Sequence, residues 1–354
     1  MTELLAEYGL FLAKTLTLIL GVLLAIAGIG ALVARRREQR EGHVEVRNLN
    51  EHLDEMREEL ESEVLDPQLL KQRHKEQKKQ DKRDRKARKL ALKQGAEPDA
   101  ERKRVYVLDF YGDIQASHVD WLREEISAVL TLARQEDEVV VRLESAGGLV
   151  HSYGLAASQL ERIRSRGIPL TICVDKVAAS GGYMMGCIAN KLLAAPFALV
   201  GSIGVVAQLP NFHRLLKKHD VDYEIFTAGE YKRTLTVFGE NTDHGRKKFV
   251  EELEDTHTLF KQFVSEYRPQ LDLAEVATGE VWFGRRALDK GLIDGVSTSD
   301  DYLFKACEDA DVYQVSYEMK KGLQERLSDL SVQALDRTLT RLGQWLYNSR
   351  FWSR

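Results

Sequence analysis

The sequence has 354 residues, of which 44% are hydrophobic and 30% charged, with a formal net charge of -4. This length accommodates one large domain or two modest ones. The cysteines Cys173, Cys187 and Cys307 lack metal-ligand spacing, which argues against a disulfide framework or a cysteine-based metal site. The charges are segregated, because residues 71–93 are rich in Lys and Arg and the remainder is acidic on balance.

The N-terminal region contains an uncharged apolar run, Thr15–Ala34, of about 20 residues, the length of a membrane-spanning helix. Arginines at 35–37 end the run, whereas a cleaved secretory signal has basic residues before a shorter apolar core. The sequence therefore predicts a retained anchor over residues 1–37, with the lipid bilayer as a partner through residues 15–34. The arginines after the run place the following residues in the cytoplasm by the positive-inside rule.

Residues 38–104 are predicted to form a charged connector. Leu53, Met56, Leu60 and Val64 recur at helical spacing, which indicates an amphipathic helix or a coiled-coil stalk. The basic stretch 71–93 has a composition that suits anionic lipid or nucleic acid, but it lacks aromatic residues for base stacking. We interpret this stretch as a solvated spacer and expect no nucleic-acid partner.

The body of the chain alternates strand and helix patterns. The strands are predicted at residues 105–110, 139–143, 170–174, 192–195, 203–207 and 221–227, and the helices at 117–133, 152–164, 180–189, 212–219 and 242–267. The segment 287–296 is predicted as a helix that Gly291 ends, followed by a return strand. Such alternation indicates an α/β domain with a largely parallel sheet, which we place at residues 105–300.

Two glycine-rich sites each follow a predicted strand. Gly147 and Gly148 come after the second strand, and consecutive glycines allow backbone N–H groups to converge on one spot, as in an oxyanion hole. Ser180 precedes Gly181 and Gly182 where a helix begins, so its hydroxyl lies on a tight turn beside N–H donors. Together the two sites indicate a serine nucleophile with an oxyanion hole.

Lys232, on a separate segment, is the candidate base. If it meets Ser180, the two form a Ser–Lys dyad rather than a Ser–His–Asp triad. A free lysine has a pKa of about 10.4 and is protonated at neutral pH, so such a base must be buried in an apolar pocket. Tyr231 and Phe238 are neighbours that suit such a pocket. His151, three residues after Gly148, is the competing base, although a helix-start or substrate-lining role is the commoner one for such a residue.

Four ordered motifs, at residues 144–148, 177–183, 200–205 and 229–233, resemble those of the signal-peptide peptidase A family of membrane-anchored serine–lysine proteases. The resemblance covers about residues 105–296 and implies a ClpP/crotonase-like spiral α/β fold. The anchor and charged connector before a single catalytic domain look most like the bacterial inner-membrane members. One departure is Ala146, where the family usually has proline; it loosens the turn slightly but leaves both glycines in place.

The resemblance also assigns roles to individual residues. It implies Ser180 as the nucleophile, Lys232 as the general base and Ser202 as the hydroxyl that helps to hold the lysine. The oxyanion hole would consist of backbone N–H groups of Gly147 or Gly148 together with one near Gly181. All of these roles are expectations carried over by motif position.

Further expectations concern partners and location. The resemblance implies a homo-oligomer in the bacterial inner membrane that acts on signal-peptide remnants or unfolded envelope proteins. It more often implies a periplasmic catalytic domain, against the arginine flank, and we expect the periplasm. No metal or nucleotide motif is present, so we expect no cofactor. The C-terminal extension, residues 301–354, ends in a pattern of Leu and basic residues that suits a helix on the membrane or one packed on a neighbouring protomer.

Two other functions remain open at this stage. A crotonase-like acyl-CoA enzyme would share the oxyanion hole, but it would not need Ser180 and Lys232 together, and a membrane anchor would be unusual for it. A catalytically inactive membrane scaffold of the same fold would keep the architecture without the chemistry. The residues favour a serine endopeptidase over both.

Overall fold

The computed structural model describes residues 14–18, 21, 42–66 and 102–319, with scattered positions between 68 and 86. Val44–Tyr317 form one compact unit. A second unit comprises Met1–His43 and Glu318–Arg354. Of this second unit, the described residues are helical at 14–18 and 21 and extended at 42–43 and 318–319.

The predicted membrane anchor at residues 15–34 lies mostly outside the described residues. Within the part of the chain that the structure describes, no helix is both long and apolar enough to cross a bilayer. The C-terminal pattern after Met319 and most of the basic stretch 71–93 also lie outside the described residues. The anchor and the tail therefore stay predictions.

A single sheet organises the compact unit. Its strands in the described residues are β1 (Gly42–Asn48), β2 (Arg104–Gly112), β3 (Glu138–Ser145), β4 (Leu170–Val174), β5 (Val177–Ala179), β6 (Lys191–Ala194), β7 (Leu199–Gly201), β8 (Val281–Phe283), β9 (Gly295–Val296) and β10 (Asp311–Met319). The main path runs β1-β10-β2-β3-β4-β6-β9, and β5, β7 and β8 continue from β3 as a branch. From β10 to β9, and along β3–β5–β7, neighbouring strands are parallel, whereas β8 is antiparallel to β7. The predicted α/β class with a largely parallel sheet is confirmed.

Helices cover both faces of this sheet. In the described residues they are α1 (Leu49–Val64), α2 (Val119–Leu130), α3 (Val150–Arg164), α4 (Gly181–Gly186), α5 (His213–Lys218), α6 (Asp243–Tyr267), α7 (Leu273–Val276), α8 (Gly284–Asp289) and α9 (Ser299–Asp309). The long helix α6 begins where the Thr242 side chain accepts a hydrogen bond from the Gly245 N–H. Gly291 lies at a φ of 74° shortly after α8, so the predicted glycine stop is confirmed.

The core lies on both sides of the strands because successive side chains point to opposite faces. On one face, Leu108 and Phe110 of β2 pack in a cluster with Leu122 of α2 and Leu160 of α3. On the other face, the alternate residues of β2 belong to a cluster that includes Leu303 of α9. The result is a layered α/β arrangement with the sheet in the middle.

Two predicted strands are wrong. Residues 203–207 and 221–227 carry no regular secondary structure, and the strand near the first of them is β7, which ends at Gly201. Gly201 and Ser202 both have positive φ, at 106° and 52°, so the chain leaves the sheet there. Both edges of β7 are already paired, with β5 and with β8. The apolar residues that follow therefore have no strand edge at β7 to join.

The helix predicted in the connector is confirmed as α1, and it begins on the body of the protein. The Asn50 side chain donates hydrogen bonds to the Cys307 and Ala310 carbonyls, at 2.9 and 3.0 Å. The Asn50 Oδ1 accepts the Val312 N–H at 2.7 Å. The start of this connector helix is thus attached to α9 and β10.

Candidate active site

Ser180 lies in a strained turn between β5 and α4. Its backbone has φ 53° and ψ -118°, a region that non-glycine residues rarely occupy and that costs about 1–3 kcal/mol. The turn is fixed at both ends, because the Ser180 N–H donates to the Gly201 carbonyl at 2.8 Å and the Ser180 carbonyl accepts the Met184 N–H at 2.9 Å. The serine is half-buried. A strand-to-helix turn of this kind presents a hydroxyl at the edge of a sheet, as in hydrolase nucleophile turns.

The Gly147–Gly148 turn lies directly beside this serine. It follows β3, and β3 pairs in parallel with β5 through Ser145 and Ala178, so both turns emerge at the same sheet edge. Gly147 has a φ of 89°, and a Cβ at this position would lie 2.7 Å from the Ser180 Cβ and 2.7 Å from the Gly181 nitrogen. Only glycine permits this approach.

The backbone N–H groups of the two turns have different partners. The Gly147 N–H, one of the predicted oxyanion donors, donates to the Ser145 Oγ at 3.0 Å. Among the described residues, the Gly148 and Gly181 N–H groups have no hydrogen-bond acceptor. Gly181 opens α4, where the first N–H groups have no partner within the helix. Two unpaired donors thus flank the serine turn.

The helix α4, which follows the serine, is completely buried. The Tyr183 hydroxyl donates to the Leu292 carbonyl at 2.9 Å, which ties this helix to the segment before β9. Burial raises the pKa of the Cys187 thiol to about 12, so this cysteine is inert at neutral pH. The interpretation of residues 183–185 as packing residues agrees with their burial.

Ser202 follows the neighbouring strand on the other side of Ser180. Ala179 and Gly201 are partners in the parallel pairing of β5 and β7, so Ser180 and Ser202 leave the same sheet edge side by side. The Ser202 N–H donates to the Glu280 carbonyl at 2.6 Å, and the residue is half-buried. The structure therefore brings Ser180, Ser202 and the glycine turn into one region.

Lys232, the predicted base, lies on a segment outside the strands of the sheet. It lies in what we call the lysine arm, residues 205–240, where α5 is the only regular element among the described residues. The lysine is exposed, and its backbone N–H donates to the Gly229 carbonyl at 3.2 Å. Within the described residues, no hydrogen bond or ion pair joins its side chain to Ser180 or Ser202. The predicted dyad stays a prediction.

His151, the competing base, lies exposed in the first turn of α3. No hydrogen bond joins it to Ser180 among the residues that the structure describes. No group of three or more His, Cys, Asp or Glu side chains within the described residues could hold a metal ion. The residues around the serine turn accordingly offer backbone N–H groups and hydroxyls rather than metal ligands.

Two polar side chains beneath the glycine turn were not predicted as functional. Ser145 and Tyr153 are buried, and their hydroxyl oxygens lie 2.5 Å apart. Ser145 belongs to a motif that the sequence singled out, but Tyr153 lies inside an ordinary helical pattern. Only the packing of α3 against the end of β3 reveals that the two meet.

The mixed α/β sheet, with ten strands in the described residues, fits a ClpP-like peptidase fold. The chain matches the models of "Peptidase family S49 N-terminal" over residues 3–160 and "Peptidase family S49" over residues 162–313. It is 52% identical over 324 residues to a probable protease SohB of Haemophilus influenzae, which covers 91% of this chain and 92% of that protein. It is 47% identical over 298 residues to a probable protease SohB of Buchnera aphidicola subsp. Schlechtendalia chinensis, covering 84% of this chain and 97% of that protein.

A more distant relative is a putative protease of Methanocaldococcus jannaschii, at 28% identity over 193 residues, 52% of this chain and 61% of that protein. The chain therefore belongs to peptidase family S49, and within that family it is of the SohB type. The predicted family is confirmed, and the enzyme class is that of a peptidase. The relatives give no support to the acyl-CoA alternative.

Proposed function

We propose that the protein is a membrane-anchored serine endopeptidase in which Ser180 attacks the peptide carbonyl and Lys232 is the general base. In this mechanism the lysine takes the Ser180 proton and returns it to the leaving amine. Ser202 orients the lysine, and the backbone N–H groups of Gly148 and Gly181 stabilise the tetrahedral oxyanion. Gly147 allows the two turns to meet because it has no side chain.

The observation that carries this proposal is the close approach of Gly147 to Ser180. A backbone 2.7 Å from the would-be Cβ of Gly147 leaves no room for any side chain, and the two unpaired N–H groups lie on either side of that contact. Preorganised donors of this kind are worth about 10²–10³ in rate each when they bind a developing oxyanion. A strained serine between such donors favours acyl transfer over a purely structural role.

The base requires a further step. An exposed amine is protonated at neutral pH, so Lys232 must leave solvent and approach Ser180 in the active state. The lysine arm exposes large apolar side chains, including Val206 at 81% and Phe226 at 88%. We propose that a second copy of the chain covers this arm in a homo-oligomer, which buries the lysine.

The substrates that we propose are signal-peptide remnants and unfolded envelope proteins. Ile114, Leu149 and Val150 are exposed apolar residues beside the Gly148 turn, which suits peptide segments with apolar side chains. The Leu149 N–H donates to the Ile114 carbonyl at 2.8 Å, so these residues form one surface. We further propose residues 15–34 as the anchor in a bacterial inner membrane, with the catalytic unit in the periplasm.

The test is hydrolysis of casein or a signal-peptide fragment by the full chain in detergent. We expect Ser180→Ala and Lys232→Ala each to lose more than about 10³-fold in kcat/KM. Ser158→Ala and Lys247→Ala are matched controls, because both residues are exposed and lie on helices outside the serine turn and the lysine arm. Size-exclusion chromatography checks that every variant keeps the oligomeric size of the wild type.

Each proposed element has an outcome that contradicts it. Activity that survives Ser180→Ala would rule out the serine mechanism and leave His151 or another base to be tested. A wild type that forms an oligomer but hydrolyses neither substrate favours the inactive scaffold. A monomer that is fully active would contradict the burial of the lysine arm by a second copy.

A further inference from the structure

A chain of hydrogen bonds runs under the glycine turn. The Gly147 N–H donates to the Ser145 Oγ at 3.0 Å, and this oxygen lies 2.5 Å from the Tyr153 hydroxyl oxygen. The Tyr153 hydroxyl donates to the Asp113 carbonyl at 2.7 Å. Ser145 and Tyr153 are 1% and 0% exposed, so water does not compete for these groups.

The number of hydrogens on the two hydroxyls determines which hydroxyl donates the hydrogen bond and which accepts it. The single hydroxyl hydrogen of Tyr153 goes to the Asp113 carbonyl, so Ser145 must be the donor in the contact between the two hydroxyls. The Ser145 and Tyr153 hydroxyls therefore each accept one hydrogen bond and donate one, so both are satisfied. Buried networks that are satisfied in this way are rigid.

The same tyrosine also packs against the second donor of the site. A Cβ placed on Gly181 would overlap the Tyr153 ring, which means that the ring lies directly against that backbone. Tyr153 thus touches both halves of the site, Gly181 through its ring and the Gly147 turn through its hydroxyl and Ser145. Gly112 leaves space for these hydrogen bonds, since a Cβ on Gly112 would overlap the Ser145 and Tyr153 hydroxyls.

The loop at Asp113, where this series of hydrogen bonds ends, is also fixed. The Asp113 carbonyl accepts the Ala116 N–H at 3.1 Å, and the Asp113 carboxylate accepts the Ser117 N–H at 2.8 Å. This loop before α2 lies against Gly148, because a Cβ on Gly148 would overlap the Ile114 carbonyl. The glycine turn is therefore held between a hydrogen-bond chain below and the Ile114 backbone beside it.

We propose that Tyr153 and Ser145 are positioning residues that set the oxyanion hole. Ser145 accepts the hydrogen bond of the Gly147 N–H. In this way it holds the turn in the orientation in which the Gly148 N–H is unpaired and directed to the substrate side. Tyr153 fixes that orientation relative to Gly181. The inference rests on the proposed serine mechanism and adds to it two side chains that never touch the substrate.

The test compares Tyr153→Phe and Ser145→Ala with the wild-type full chain. Tyr153→Phe keeps the ring against Gly181 and removes only the hydroxyl. We expect kcat on a fluorogenic apolar peptide to fall about 10- to 100-fold, with KM changed less than about threefold, because the lost interaction acts on the transition state. The double variant is expected to lose about as much as one single variant, because both changes break the same chain.

A second readout isolates the oxyanion. A peptide aldehyde forms a tetrahedral adduct with a serine nucleophile, whereas the matching peptide alcohol binds without an oxyanion. We expect the Kd of the aldehyde to rise by the same factor as kcat falls, and the Kd of the alcohol to stay constant. Tyr302→Phe is the matched control, because its hydroxyl also makes a short hydrogen bond, 2.5 Å to Glu138, but on a different part of the sheet.

The outcomes separate the two proposals. If Ser180→Ala abolishes turnover and aldehyde capture but Tyr153→Phe leaves both unchanged, the positioning role is wrong and the serine mechanism stands. Equal losses for aldehyde and alcohol would also overturn the positioning role, because they indicate general damage to the site. If Ser180→Ala retains turnover, the serine mechanism fails and the positioning role fails with it.

Discussion

The glycine turn and the lysine arm are opposites in construction, although both carry residues proposed for the same reaction. The turn is held by parallel strands, buried hydroxyls and backbone contacts that allow no side chain. The arm lies outside the sheet, and within the described residues the one hydrogen bond of Lys232 is its backbone bond to Gly229. The comparison teaches that the contacts around Ser180 are formed within one chain, whereas the proposed role of Lys232 as base requires a further contact or rearrangement.

The largest expected effect tests the rigid half. Gly147→Ala places a Cβ 2.7 Å from three atoms, the Ala179 oxygen, the Gly181 nitrogen and the Ser180 Cβ. We expect proteolytic activity to fall on the order of 10³-fold, since the two turns must separate. Gly167→Ala is the control, because it also has a positive φ, 74°, but its nearest atom is a side-chain nitrogen at 3.4 Å. The Gly167→Ala control is expected to lose about 1 kcal/mol of stability and to keep its activity. Equal activity losses in the two variants would contradict the special role of the Gly147 contact.

The next effect concerns the dynamics of the two halves. Amide hydrogen exchange followed by mass spectrometry should proceed at least about 100-fold faster in the lysine arm than in β3 and β5, because most of the arm has no sheet or helix pairing. Conditions that favour the oligomer should slow exchange in the arm and leave the strands unchanged. Slow exchange of the arm in a dilute, monomeric sample would contradict the difference between the two halves.

A smaller effect comes from a buried carboxyl group in the rigid unit. Burial raises the pKa of Glu125 to about 7, and one of its oxygens has no hydrogen-bond partner. Because the folded state holds this proton more tightly than the unfolded state, the free energy of unfolding should fall as pH rises from about 4.5 past 7. Glu125→Gln should remove this slope and gain up to about 3 kcal/mol relative to the wild type between pH 5 and pH 8.

Denaturant unfolding of both proteins across that pH range measures the difference. The other oxygen of Glu125 accepts the Tyr317 N–H at 2.9 Å, a bond that an amide oxygen in the variant can still accept. Exchange in the lysine arm should be the same in both proteins, because Glu125 acts on α2 and β10. A wild-type pH slope that the variant retains would show that another group is responsible.

The sequence predicted the strands that pair on both sides, because continuous apolar runs such as Leu170–Val174 are typical of buried parallel strands. It predicted the position of Ser180 and the glycine turn, since both follow directly from strand ends. It failed at 221–227, which carries no strand, and at 203–207, where apolar residues suggested a strand but the edges of β7 were occupied by β5 and β8. Local preference cannot reveal that an edge is already occupied.

The site shows the same limit at the level of single residues. Glycine pairs and a serine carry a signal in their own spacing, so the sequence predicts them as site residues. Tyr153 carries no such signal, because a tyrosine in an amphipathic helix is usually a core residue, and its role depends on which hydroxyl lies opposite. The proposed burial of Lys232 likewise depends on a contact outside its own segment, which the residues beside it do not encode.

The order of the strands has a consequence for when the sheet can be completed. The last strand of the described residues, β10, pairs with β2 through Asp311 and Arg104, and helix α4 after Ser180 is tied to Leu292. A ribosome delivers these closing residues only after the serine and both glycine sites have emerged. The serine turn is therefore synthesised before the residues that complete the sheet and hold α4, so its final position is fixed only after those later residues have been made.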